Sequence, residues 1–355
     1  MSKTSLAFAT LLAAAATTTS CAVIIGLNQD YQETSSASGS GGATSSSGAM
    51  GGNSGSNSGA SSGSGVLAMP GCTGLLASCG PNGKEDCCAT SQVAGGMFNR
   101  DNNMMYPATI SSFKLDRFEV TVGRFRRFAE AYPGSKPQAD AGKHPKIAGS
   151  GWNAIWAPSL PKDKATLINE IITNCNHPPD PYFPTWTDMP GANEDKPINC
   201  ISWYVAFAFC AWDGGRLPTN AELSYAQSGG SEQRMYPWGS MSPDGNYAVF
   251  NCMGDNSAAQ DCKASDIVAV GSRSPTGDGK FMQADLAGNV WEWVLDSFDT
   301  YPTPCVDCAT LGPSTQRTMR GGGWGNNGSL IASDYTEWPV PTTEGDALGV
   351  RCARD

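Results

Sequence analysis

Residues 34–65 (TSSASGSGGATSSSGAMGGNSGSNSGASSGSG) are almost wholly Gly, Ser, Ala, Thr and Asn. Such a segment has too little apolar surface to offset the entropy of ordering it, and it behaves as flexible coil. Its root-mean-square reach is roughly 30 Å. Folding is therefore left to the residues after 65. The stretch contains GASSG (Gly59 to Gly63), a formal match to G-x-S-x-G. A nucleophile elbow needs a strand before it and a helix after it, and low complexity supplies neither.

Ahead of the coil, Lys3, the apolar run LAFATLLAAAA and then TTTSC read as a secretory leader, too short to span a bilayer. Cleavage before Cys21 would leave that cysteine for lipidation, although Thr18 stands where bacterial lipoproteins usually carry Leu. Residues 1–21 are thus read as a leader and 22–65 as a tether. The expected location is the cell envelope, as an outer-membrane or cell-surface lipoprotein, or in the alternative the medium. With Cys21 set aside, the 13 cysteines leave an even number for up to six disulfides. Disulfides are the default use of cysteine in an exported chain. A net charge of −10 offers no basic face to nucleic acid. No later segment is long and apolar enough to cross a membrane, so membrane contact is expected only through a lipid.

Residues 66–92 hold Cys72, Cys79, Cys87 and Cys88 among Gly, Pro and Asn, a small cross-linked segment. Beyond it, Phe113 and Leu115 alternate as in a strand. Val122, Phe125, Phe128, Ala129 and Tyr132 recur at helical spacing behind Thr121, a fitting N-cap. Residues 133–198 read as long irregular loop with a short helix near 163–173. ISWYVAFAFCAWDGG is a helix opened by Ser202 and stopped at Gly214–Gly215, apolar nearly all round and so buried. Thr219 and Glu222 are spaced as a capping box on the next helix. Gly, Pro, Asn and Trp dominate from there. The expected class is a loop-rich α+β domain whose function sits on loops.

Little in this text carries chemistry. The two histidines, His144 and His177, have no nucleophile and acid around them and are too few for the usual zinc or iron cage. GWGNNG (Gly323 to Gly328) matches G-x-G-x-x-G without the βαβ context a dinucleotide needs. Cys305 and Cys308 form CVDC, a redox pair or metal half-site in form, with a structural disulfide the expected use outside the cytoplasm. DLAGNVWEW (Asp285 to Trp293) brings carboxylates and backbone carbonyls together on one short loop, a hard-oxygen set suited to Ca²⁺.

FKLDRFEVTVGRFRRF, NCISWYVAFAFCAWDGGRLPTNAELSYA, YPWG, DLAGNVWEW, RTMRGGGW and LGVRCARD follow one another in the order found in the formylglycine-generating enzyme (sulfatase-modifying factor) family. The resemblance covers about residues 93–355. It implies a C-type-lectin-like fold. Active members oxidise a sulfatase cysteine with O₂ and Cu(I) held by two thiolates, the soft ligands that Cu(I) selects. The matching positions here are Asn326 and Ile331, so no catalytic residue is assigned and copper is not expected. The same resemblance implies a structural Ca²⁺ held by Asp285, the Gly288 and Val290 carbonyls, and Glu292. A second family calcium site, near 248–266, is not expected. It pairs Cys210 with Cys352, and it leaves the family's other common bridge without a partner, because Gln227 occupies one of its positions.

The leading expectation is an exported binding protein whose cleft, around Trp291, Arg320, Trp324 and Asn326, takes a glycan, peptide or protein. One alternative is an oxidase with displaced ligands such as Cys305 and Cys308. Another is a purely structural envelope protein.

Overall fold

A computed structural model describes residues 69–173, 175, 183–257 and 262–355. The leader, Cys21, the tether and His177 lie outside the described residues.

Among the described residues, four α-helices and nine strands follow from local signals of uneven strength. Strands β1 (Thr90–Val93), β2 (Gly96–Asn99), β3 (Pro107–Ile110) and β4 (Phe113–Asp116) precede helix α1 (Val122–Ala131). Thr121 caps α1 by accepting the Arg124 N–H at 3.2 Å. Helix α2 spans Lys164–Thr173 and α3 spans Trp203–Trp212 behind the cap Ser202. After α3 the chain turns through Gly214, whose φ of +74° suits glycine. Helix α4 (Asn220–Gln227) carries the full capping box of Thr219 and Glu222. Strands β5 (Trp291–Ser297), β6 (Cys305–Val306), β7 (Arg317–Arg320), β8 (Leu348–Gly349) and β9 (Ala353–Arg354) complete the set.

The strands make three small sheets, ordered β1-β4-β9, β2-β3-β6 and β7-β5-β8. In the first, β9 brings the end of the chain antiparallel to β4, with Leu115 opposite Ala353. The cysteine-rich segment is continuous with this sheet through β1, and its Gly71 N–H donates to Asp213 Oδ1 at 2.8 Å. The fold is α+β and rich in loops, as the sequence implies.

The main core lies between α1 and α3. Phe125 stacks on Phe209 with centroids 5.8 Å apart, and Phe128 meets Trp212 edge-on at 5.6 Å. Fully burying one such ring stabilises by roughly 1.5–3 kcal/mol. The irregular second half is tied to this core by indole N–H groups. Trp203 Nε1 donates to the Val294 carbonyl at 2.8 Å, and Trp293 Nε1 donates to that of Ile201 at 2.9 Å.

Candidate functional site

Strand β7 lies antiparallel to β5, with Arg320 opposite Glu292. The chain then leaves β7 through Gly321 and Gly322 at φ +97° and +72°. A Cβ on Gly322 would stand 2.5 Å from Ile331 Cγ2, so only glycine fits this turn without displacing its neighbour. The turn is stitched to two other loops. Trp324 N–H donates to the Asn289 carbonyl at 2.8 Å, and Cys252 N–H donates to the Trp324 carbonyl at 2.9 Å. Asn326 Oδ1 accepts the Gly323 N–H at 2.8 Å. Ile331 is 1% exposed and packs with Tyr236, Ala248 and Phe250.

This geometry corrects the expected cleft. Arg320 is wholly buried, held by Asn220, Asp101 and the Ser333 carbonyl. Trp324 is buried edge-on against Phe183, with its indole N–H on the Asp346 carbonyl. Trp291 is buried beside Tyr335. Only Asn326 of the four is partly exposed. A charge and two indoles that have partners inside the fold are not available to a ligand.

All twelve cysteines among the described residues are in disulfides: Cys72–Cys88, Cys79–Cys87, Cys175–Cys200, Cys210–Cys352, Cys252–Cys262 and Cys305–Cys308. His144 is buried, with Nε2 3.5 Å from Glu222 Oε1, and serves the core.

The loop before β5 gathers buried charge. Glu292 gives both oxygens to Arg351, at 2.6 and 2.7 Å. Asp285 Oδ2 accepts the Gly271 N–H at 2.5 Å. Glu119, which sequence reasoning passed over, accepts from Asn289 Nδ2 at 2.7 Å and from the Val290 N–H at 3.1 Å. Three carboxylates thus share one guanidinium, all buried. Burial, reinforced by Asp285 and Glu292, pushes the Glu119 carboxyl well up. Burial pushes that of Asp285 to about 6, against its backbone hydrogen bond and Arg351. Asn289 Oδ1 is buried and has no partner. Among the described residues no three Asp, Glu, His or Cys side chains form a metal cage.

Residues 77–355 match the profile of the sulfatase-modifying factor enzyme 1-like domain family. The chain belongs to that family. It is similar to the formylglycine-generating enzyme of Thermomonospora curvata, 28% identical over 282 residues, covering 69% of this chain and 83% of that one. It is also similar to the hercynine oxygenase of Mycolicibacterium smegmatis, 26% identical over 263 residues. There the match covers 69% of this chain and 54% of the oxygenase, so this chain spans about half of that relative. A third relative is the inactive C-alpha-formylglycine-generating enzyme 2 of Mus musculus, 25% identical over 270 residues, covering 69% and 76% of the two chains. Among solved structures, PvdO from Pseudomonas aeruginosa superposes with a TM-score of 0.48 at 18% identity, covering 75% of this chain and 94% of that one.

On this sulfatase-modifying-factor domain a partly exposed aromatic pair lies near the Arg320–Asp101 ion pair. Asp101, the partner of Arg320, lines a hollow of about 300 Å³ together with Tyr106, Phe298, Asp299, Tyr301 and Thr318. Phe298 stacks on Trp338 with centroids 4.3 Å apart and 12° between planes, and the two are 38% and 39% exposed. In sequence these rings stand in separate loops, and no spacing announces their pairing.

Proposed function

We propose that this chain is an exported, lipid-anchored protein whose sulfatase-modifying-factor domain binds a glycan instead of oxidising a cysteine. The observation that carries the reading is the Phe298–Trp338 stack beside the acid-lined hollow. A sugar ring offers an apolar C–H face to an aromatic platform and hydroxyl donors to the exposed Asp299 carboxylate. The absence of a thiol at Asn326 and Ile331 supports the non-oxidase half, since neither an amide nor an alkyl chain replaces a thiolate on Cu(I). The leader, Cys21 and the tether of residues 22–65 would present the domain beyond a membrane.

Cells expressing the full chain are expected to retain soluble fluorescent glycans saturably on a glycan panel. Trp338→Ala should weaken retention about tenfold or more by removing half the platform, while Cys21→Ser should move the binding activity into the medium. Retention unchanged in Trp338→Ala, or no glycan retained at all, overturns the reading. A sulfatase peptide converted to formylglycine by the purified chain would favour the oxidase in its place.

Calcium belongs to this reading as a structural ion. Asp285 and the Gly288 and Val290 carbonyls would hold it, and Glu292 would be shared with Arg351. The partnerless Asn289 oxygen and the excess of buried carboxylate support a cation there. Without one, the raised pKa values set the pH dependence. A carboxyl raised in the fold contributes stability that is complete below its unfolded pKa, near 4, and is lost as pH rises through the folded value. Asp285 and Asp296 are both pushed by burial to about 6. In chelator, unfolding free energy should therefore fall between pH 4 and 6, by up to about 3 kcal/mol per group. Millimolar Ca²⁺ at pH 7 should restore the Asp285 share and leave the Asp296 share lost. Identical urea midpoints at pH 7 with and without Ca²⁺ would remove calcium from the reading.

A further inference from the structure

Arg100, Arg124, Arg216, Arg320 and Arg351 are all at most 2% exposed. Four of them meet a carboxylate at ion-pair distance. Arg100 meets none among the described residues. Its Nη2 donates to the Pro302 carbonyl at 2.8 Å, its Nε to that of Tyr106 at 3.4 Å, and its guanidinium lies 4.5 Å over the Tyr301 ring. Its remaining contact is Nη1 to Cys308 Sγ at 3.6 Å. A buried guanidinium without a counter-ion is costly, and this one is aimed at a sulfur of a C-x-x-C disulfide.

We propose that Cys305–Cys308 is a redox-active disulfide that exchanges with protein dithiols, with Cys308 as the reacting sulfur and Arg100 as the cation that holds its thiolate. The two sulfurs are unequal in access. Cys305 is 3% exposed, whereas Cys308 is partly exposed. The dipeptide between them is clamped independently of the S–S bond. Cys305 and Val306 pair in parallel with Ala108 and Thr109 of β3. Asp307 N–H donates to the Thr109 carbonyl at 2.9 Å, and its carboxylate accepts from Ser111 N–H at 2.6 Å and Lys146 Nζ at 3.0 Å. Opening the bond would therefore leave Cys305 and the intervening dipeptide in place, with Cys308 beside Arg100.

The exchange balances as two substitutions at sulfur. A substrate thiolate attacks Cys308 Sγ; the Cys305–Cys308 bond breaks, and Cys305 leaves as thiolate and takes a proton. The second substrate thiolate attacks the first substrate sulfur, and Cys308 departs as thiolate against Arg100. The substrate dithiol is oxidised to a disulfide by two electrons, and the C-x-x-C pair is reduced. A small disulfide such as oxidised glutathione reverses the change on the protein and permits turnover. Stabilising the departing thiolate makes the pair a stronger oxidant, because the reduced form gains what the disulfide cannot. Around Arg100, Asp101 and Asp296 favour its charge and Arg320 opposes it, while Tyr301 is held neutral by burial, at about 12. Burial leaves the Arg100 guanidinium below its ordinary value, so a negative neighbour at Cys308 would be favourable. This inference does not depend on the glycan reading.

The test equilibrates the full chain in glutathione buffers, alkylates free thiols and locates them by peptide mass. The Cys305–Cys308 peptide should be reduced at a glutathione ratio at least about tenfold more oxidising than the other five bridges require. Arg100→Met should shift its midpoint about tenfold or more toward the disulfide, and Arg100→Lys should restore part of the shift. In Cys305→Ser, the Cys308 thiol should titrate well below the ordinary thiol value of about 8.5, read by thiolate absorbance. That thiol should also form a mixed disulfide with a cysteine peptide. A midpoint no different from the other bridges overturns the proposal, as does an ordinary titration in Cys305→Ser. If Arg100→Met does not fold, the Cys305→Ser titration still decides.

Discussion

Arg124→Leu is expected to destabilise the domain by about 3–5 kcal/mol, the usual cost of removing one partner from a buried ion cluster. Arg124 donates to Asp116 Oδ2 at 2.8 Å and to Asp213 Oδ2 at 2.6 Å, and all three side chains are fully buried. Arg354 touches the same two carboxylates from the chain end. Two cations and two anions therefore balance inside the fold, and the leucine variant leaves two carboxylates to one arginine. The penalty comes from the stranded charge, so Arg124→Lys should cost much less. Burial alone would push the Asp116 carboxyl up, but Arg124 and Arg354 outweigh it and hold it below its ordinary value. A depressed carboxyl contributes stability present above its unfolded pKa, near 4, and lost as pH falls through the folded value. Protonation removes the stranded charge, so the penalty of the variant should shrink as pH falls toward 3. Urea titrations at pH 7 and pH 3 read both effects. A loss below about 1 kcal/mol at pH 7 would mean that the cluster is solvated or that Arg354 alone suffices.

The cluster also shows where sequence stops being informative. Helix starts were legible because a cap is decided within three residues, as at Thr121, Ser202 and Thr219 with Glu222. The buried stripe of α1 was legible because its periodicity is local. Strands β6, β8 and β9 are two residues each and leave no periodic trace. Arg320 misled for a related reason. A charged residue beside a glycine turn reads as ligand-facing, yet its partner, Asp101, lies 219 positions away. Trp291 and Trp324 misled likewise, because an indole in a loop does not reveal whether its neighbour is solvent, Tyr335 or Phe183. Glu119, in the short link between β4 and α1, carries no local signal of its role. Only the fold shows it receiving the Val290 N–H, 171 positions on.

Replacing both Cys210 and Cys352 by alanine is expected to cost about 2–5 kcal/mol, and more than the same replacement at Cys79 and Cys87. Cys210 and Cys352 are wholly buried, and their bond joins α3 to the segment just before β9 across 142 positions. The Cys79–Cys87 bond spans 8 positions and is equally buried, so the packing lost on truncation is similar. What differs is the freedom the bond removes from the unfolded chain. On the loop-closure relation the longer loop is worth about 2.5 kcal/mol more. Unfolding of the two double variants in urea, compared at one pH, separates the accounts. Equal losses would place the stabilisation in the folded state and set aside the entropic account. A larger loss at Cys210 and Cys352 would have a consequence for the site. The segment they fix also carries Arg351, whose guanidinium clamps Glu292 and donates to the Ala284 carbonyl at 2.8 Å. Freed of the bridge, that guanidinium is held only by its hydrogen bonds. The calcium response of the variant should then weaken along with its stability.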